Sequence, residues 1–248
     1  MVAAMRAWGK TDIGLVRREN QDAFCVDLMQ DEETAICVVC DGMGGANAGG
    51  VASIIAARAF SDAVRDGVSQ GMSRAVLENL VRTAVSRANE EVWRHAEGNP
   101  ECEGMGTTLV AAIVCGDLAA IANVGDSRAY LIGESGIQRI TRDHSIVEDL
   151  ITSGSLTREQ ARTHPEKNII TRALGTPPDV ECDIYWQKLR QGELLLLCSD
   201  GLSNMVEEQE MLYETMHGGD REDACRRLID IANSRGGRDN ITVLLYEA

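Results

Sequence analysis

Four apolar runs, each joined to an aspartate at one end, constrain this chain more than any other feature. Ala35-Ile36-Cys37-Val38-Val39-Cys40 ends in Asp41-Gly42. Residues 119–124 end in Gly125-Asp126-Ser127-Arg128, and residues 194–198 end in Ser199-Asp200-Gly201. Near the C-terminus the order reverses, with Asp239-Asn240 leading into 241–246. Continuous apolar runs of this length read as buried strands, and glycine beside the acid marks a tight turn. Rigid strand ends hold short carboxylates still. Carboxylates held close repel one another unless a hard cation stands between them. The pattern therefore predicts an oxygen-ligated divalent metal site and an enzyme.

Composition narrows the class. A chain of 248 residues with 44% hydrophobic content can bury a substantial core. No segment approaches the roughly 20 apolar residues of a membrane helix, so no membrane association is expected. Residues 1–10 carry Arg6 and Lys10 and no long apolar stretch, unlike a secretory signal. Cytoplasmic residence and a monomer are expected. The net charge of −15 repels phosphate backbones and excludes nucleic acid as a partner class. That acidity reads as a solubilising surface, partly neutralised by bound cations. Of eight cysteines, Cys37, Cys40, Cys115, Cys198 and Cys225 stand in apolar contexts. Cys37 and Cys40 have CxxC spacing, but on a strand positions three apart face opposite ways. Buried thiols in a reducing compartment are expected.

The order of elements predicts an α+β fold. Strands are expected near 5–10, 23–28 and 34–40, followed by amphipathic helices at 49–65 and 72–95. Strands at 107–114, 118–124, 127–132 and 136–140 come next. A more polar insert at 143–178 holds short helices at about 145–153 and 157–163. Strands at 180–186 and 193–198, helices at 207–216 and 221–234, and a strand at 241–246 complete the chain. Strand runs separated by helix pairs argue against alternating βαβ units. One domain, 1–248, is expected.

An acid-rich oxygen site in a chain with only four histidines favours Mg²⁺ or Mn²⁺ over zinc. Two such ions about 3.5–4 Å apart can acidify and orient a water, with one carboxylate between them. Asp41, on a central strand end, is the natural bridge, and the Gly42 carbonyl can approach a metal unobstructed. Arg17 is either a phosphate clamp or a surface ion pair with a neighbour such as Glu19. The Gly44-Gly45 and Gly49-Gly50 pairs either cradle phosphate ahead of the helix or permit close packing at a turn. Thr107 and Thr108 read as strand-packing residues rather than catalysts. Asp126 is either a ligand or a turn cap bonded to Arg128.

The segments 17–22, Asp41-Gly42-Met43-Gly44-Gly45, Gly106-Thr107-Thr108, Gly125-Asp126-Ser127-Arg128, Ser199-Asp200-Gly201-Leu202 and Asp239-Asn240-Ile241-Thr242 stand in one order along nearly the whole chain. In that order they resemble the metal-dependent Ser/Thr protein phosphatases, the protein phosphatase 2C family. The insert, with Asp143-His144-Ser145 and 164–175, is similar to the compact bacterial branch. The resemblance implies a central antiparallel β-sandwich flanked by helical pairs, in αββα layers, with metals at one end. It implies Asp41 bridging two Mn²⁺ or Mg²⁺ ions, Gly42 ligating through its carbonyl, and Asp200 and Asp239 completing the first ion's ligands. Asp22 would hold metal-bound water at one remove, Arg17 would bind substrate phosphate, and Asp126 with Asp200 would hold a third, weaker ion. Metal-bound hydroxide would attack phosphorus directly, without a phosphoenzyme. Phosphorylated proteins would be the substrates and a bacterial Ser/Thr kinase the opposing partner.

One departure concerns Met43, where many eukaryotic relatives carry a histidine that is a candidate general acid. A thioether donates no proton, which leaves metal-bound water or His144 for that task, His144 being otherwise a structural histidine. Gln21 stands where eukaryotic relatives often carry an acid. The insert at 143–178 is either a determinant of substrate choice or a surface flap with no selective role.

Overall fold

Alternation along the strands sorts the apolar side chains into three layers of core. The computed structural model describes residues 5–30, 33–45 and 48–248. One sheet contains β1 (Arg6–Asp12), β7 (Arg128–Gly133), β8 (Gly136–Arg139), β10 (Leu194–Cys198) and β11 (Ile241–Glu247), in the order β1-β11-β10-β7-β8. The other contains β2 (Asp22–Leu28), β3 (Thr34–Met43), β5 (Leu109–Cys115), β6 (Leu118–Val124) and β9 (Asp183–Lys188), in the order β2-β3-β5-β6-β9. The short β4 (Gly106–Thr107) pairs with β3. The pairs within both sheets are antiparallel.

On β3, Ala35, Cys37 and Val39 point between the sheets, where they meet Leu195, Leu197, Leu244 and Tyr246. Ile36, Val38 and Cys40 point outward, into the layer under α1 (Ala48–Gly67) and α2 (Arg74–Gly98). On the far side, Leu194, Leu196 and Cys198 pack with Met211, Leu228 and Ile229 of α6 (Glu208–His217) and α7 (Arg221–Ser234). Both faces of both sheets are covered, which is why these strands read as unbroken apolar runs rather than as alternation. The layers are αββα. Cys37 and Cys40 lie in different layers, and all eight cysteines are free thiols. Cys115 is only half-buried, at the end of its strand.

Three local expectations shift. The strand expected over 107–114 is broken at Thr108, because the Asp41 N–H donates to the Thr108 hydroxyl instead of to a ladder carbonyl. The strand expected at 180–186 begins later, at Asp183. Just before it, the Pro177 and Pro178 carbonyls accept bonds from the Asn89 side chain on α2. The four-residue α5 (Asp200–Ser203) was not foreseen, being too short to show a helical period. Between β8 and β9 lie α3 (Ile146–Thr152) and α4 (Arg158–Arg162), near the positions expected for the two short helices of the insert.

Candidate functional site

The strand ends that carry the aspartates converge at one end of the sandwich. Asp22 stands directly opposite Asp41 on the β2–β3 pair. Asp200 follows β10, and Asp239 precedes its neighbour β11. There Asp41, Asp200 and Asp239 line a cavity of ≈ 230 Å³ together with Arg17, Gly42, Met43 and Asp126. Asn168 and Ile170, from the stretch after α4, reach the same cavity.

Asp41 is held through its backbone. Its N–H donates to Thr108 Oγ1 at 2.9 Å, and its carbonyl accepts from the Thr108 N–H and the Thr107 hydroxyl, both at 2.9 Å. Thr108 Oγ1 also bonds Ser127 Oγ at 2.7 Å, tying Asp41 to the turn that carries Asp126. The two threonines were expected to pack rather than to catalyse; they are buried, and they also fix the backbone that carries the central carboxylate. Gly42 lies against Gly49, and a Cβ on Gly42 would press on the Gly49 carbonyl. Gly49 thus follows the close-packing reading, whereas a Cβ on Gly45 would meet nothing within 4 Å.

Asp22 lies behind the cavity, 8% exposed. Its Oδ2 accepts from Ser199 Oγ at 2.8 Å and Thr242 Oγ1 at 2.7 Å, so a carboxylate of one sheet is held by hydroxyls of the other. Asn240 organises the loop before β2. Its Oδ1 accepts the Gln21 N–H at 2.8 Å, and its Nδ2 donates to the carbonyls of Ile13 and Glu19 at 2.9 Å. Arg17, on that loop, donates to Asp239 Oδ2 at 2.7 Å rather than pairing with Glu19. Arg128 does not cap Asp126; it bonds Asp143 at 2.7 Å, and Arg139 reaches the same carboxylate.

Sequence reading missed the roles of Thr108, Ser127, Ser199, Thr242 and Asn240. Their signal was present, since Ser127, Ser199, Asn240 and Thr242 stand in aspartate motifs and Thr108 in the Gly106-Thr107-Thr108 segment. Which hydroxyl faces which carboxylate depends on strand register, which the motifs do not encode.

Electrostatics mark the cluster. Burial, then the charges of Asp22 and Asp200, push the Asp41 carboxyl well above the usual range. Asp126 rises to about 8 through burial and the Asp200 charge. Asp22 rises to about 7, mainly through burial, although its hydroxyl partners favour the carboxylate. Asp200 is raised by burial and by Asp239. The Arg17 guanidinium is pushed up, first by its bond to Asp239. His144 lies outside the cavity lining. Its Nδ1 accepts the Gly125 N–H at 3.2 Å, and its Nε2 is 3.3 Å from Asp183.

The donor set is oxygen throughout, and its buried atoms suit a hard cation. Asp22 Oδ1 and Asp200 Oδ1 are buried without a hydrogen-bond partner. An orphaned carboxylate oxygen is costly unless a proton or a cation meets it. Among the described residues no three acidic, histidine or cysteine side chains are drawn tightly round one point. Arg17 bonds Asp239 and Asn204 bonds Asp200, at 2.7 and 3.0 Å.

The family model for protein phosphatase 2C matches residues 17–241. The chain belongs to the protein phosphatase 2C family. The serine/threonine phosphatase Stp of Listeria monocytogenes is 42% identical over 98% of this chain and 96% of its own length. The crystal structure of the serine/threonine phosphatase Stp1 from Staphylococcus aureus matches with a TM-score of 0.90 at 37% identity, covering 98% of this chain and 95% of that one. The catalytic domain of PstP, crystallised in complex with 2 manganese ions, matches with a TM-score of 0.84 at 33% identity, covering 98% and 97%. These likenesses run through both sheets, so the αββα sandwich is the phosphatase 2C architecture.

Proposed function

We propose that this protein hydrolyses phosphoserine and phosphothreonine in proteins, with Mn²⁺ or Mg²⁺ at the aspartate cluster, and so reverses a bacterial Ser/Thr kinase. The observation that carries this is the meeting of Asp41, Asp126, Asp200 and Asp239 with Arg17 round one cavity. Asp41, the Gly42 carbonyl, Asp200 and Asp239 would hold two ions, with Asp41 shared. Asp22 would act at one remove through water, and Asp126 with Asp200 would hold a third, weaker ion. When bound, the ions supply Lewis acidity, lowering the pKa of a water and offsetting charge on the phosphoryl oxygens.

The chain's own residues do the rest. Thr107, Thr108 and Ser127 fix the Asp41 backbone, so its carboxylate does not reorganise during the reaction. Arg17, 54% exposed in its side chain, leaves Asp239 to bind the substrate phosphate through its planar fork. Met43 lines the cavity but donates no proton, and both nitrogens of His144 are engaged elsewhere. Protonation of the leaving alkoxide therefore falls to water. The stretch 143–178 acts as a flap of a single catalytic domain, supported by Asn168 and Ile170 in the cavity wall.

No helix among the described residues is long and apolar enough to cross a membrane. That and the eight free thiols support a cytoplasmic setting, in which the protein acts as a monomer. A non-catalytic phosphoprotein-binding domain would be expected to have lost metal aspartates, and this chain keeps all of them. Phosphate release from a phosphothreonine peptide, with Mn²⁺ and then with EDTA, tests the reading. Metal-dependent turnover that disappears in Asp41→Asn is expected. Folded protein inactive with both Mn²⁺ and Mg²⁺ would sink it.

A further inference from the structure

The loop before β2 carries large apolar side chains in the open beside Arg17. Leu15 is 67% exposed, Val16 64% and Ile13 38%. Among the described residues the other exposed large apolar ones, Leu28, Ile54, Val76, Ile169 and Tyr213, are scattered over separate elements. Single exposed apolar residues need no explanation, but three within four positions form a patch.

This patch is rigidly mounted. The Leu15 N–H donates to the Gly237 carbonyl at 2.7 Å, and the Gly14 N–H donates to Asp12 Oδ1 at 2.8 Å. Asn240 holds the Ile13 carbonyl from behind. Gly14 has φ of 77° and a Cβ there would collide with the Asp239 backbone, so the two loops meet closely only through glycine. Arg17 continues the same loop and reaches Asp239 in the cavity wall. The apolar pair and the guanidinium thus share one stiff support.

We propose that Leu15 and Val16 are specificity residues, which favour phosphoprotein substrates with apolar side chains one or two positions from the phosphorylated residue. The proposal rests on the phosphatase reading and adds a substrate class to it. Residues in an extended peptide advance about 3.3 Å each. A phosphoresidue held at Arg17, with its chain running back along this loop, would bring its near neighbours over Val16 and Leu15. Apolar neighbours cover that surface and remove it from water. Acidic neighbours meet instead the surface of a protein of net charge −15.

The test compares kcat/KM, with Mn²⁺, for phosphothreonine peptides carrying Leu or Val beside the phosphoresidue, for the same peptides with Ser there, and for p-nitrophenyl phosphate. Wild type should prefer the apolar peptides about five- to tenfold, the size of effect that a partly buried aliphatic side chain gives. The double variant Leu15→Ser/Val16→Ser should lose that preference, with turnover of p-nitrophenyl phosphate and Tm unchanged. Leu15→Met/Val16→Ile should keep it. Wild type that does not discriminate overturns the proposal, as does a double variant that still prefers apolar peptides. An equal loss on peptides and on the small ester would assign the pair to placing Arg17 and also overturn it. Wild type that turns over no phosphate ester at all defeats the phosphatase reading itself, a distinct outcome.

Discussion

Thr108 and Asp41 are joined twice: the Asp41 N–H donates to Thr108 Oγ1, and the Thr108 N–H donates to the Asp41 carbonyl, each at 2.9 Å. Replacing the hydroxyl with a methyl strands a buried N–H and also frees Ser127 Oγ. Thr108→Val should cost about 1–3 kcal/mol, lowering Tm by several degrees. It should also weaken Mn²⁺ binding measured by calorimetry. Thr108→Ser should restore both, because it returns the acceptor.

The raised carboxyls set the pH dependence of the protein in EDTA. Asp22 at about 7, Asp126 at about 8, and Asp41 and Asp200 in the same direction all hold protons more tightly folded than unfolded. Their contribution to stability is complete below the unfolded carboxyl pKa near ~4 and is lost as pH rises through the folded values. Thermal melts in EDTA should therefore show Tm falling between about pH 5 and 8. Mn²⁺ binds the ionised form, so the rise in Tm that it brings should be larger at pH 8 than at pH 6. A metal-induced rise independent of pH would argue against these carboxylates as ligands.

Arg17→Ala should lower kcat/KM for a phosphopeptide about 10- to 100-fold, the worth of a charged hydrogen-bond pair to phosphate. Since the guanidinium is half exposed and held by one ion pair, Tm should change little. Arg17→Lys should recover part of the loss as a point charge without the fork. Steady-state kinetics alongside a melt separates binding from stability.

Asn240→Ala removes three bonds at once, to Gln21, Ile13 and Glu19. A cost of about 2 kcal/mol or more is expected, with Tm lower by roughly 4–8 °C. The loop that carries Arg17 would loosen, so KM for phosphopeptides should rise as well. An unchanged KM would mean that the loop keeps its place by other contacts.

The strands were legible because both faces of each sheet are covered, so 35–40, 119–124, 194–198 and 241–246 read as nearly continuous apolar runs, broken only by Asn123 and Thr242. The acids at their ends were equally plain, and so was Arg17, through the company of Asp22 and Asn20 in one motif. What remained open concerned partners. Arg17 read as a phosphate clamp or as the partner of a neighbour such as Glu19, and Asp126 as a ligand or a turn cap bonded to Arg128; the structure pairs the two arginines with Asp239 and Asp143.

Sequence alone therefore determined which residue types are available at which strand ends, because burial and turn chemistry are local and leave a periodic trace. Only the tertiary structure decided that Ser199 and Thr242 of one sheet grip Asp22 of the other, and that Asn240 holds a loop more than 200 residues earlier in the chain. Those contacts depend on strand register and on how the two sheets stack. A shift of one residue in the register of β2 or β11 would turn Asp22 or Thr242 to the opposite face.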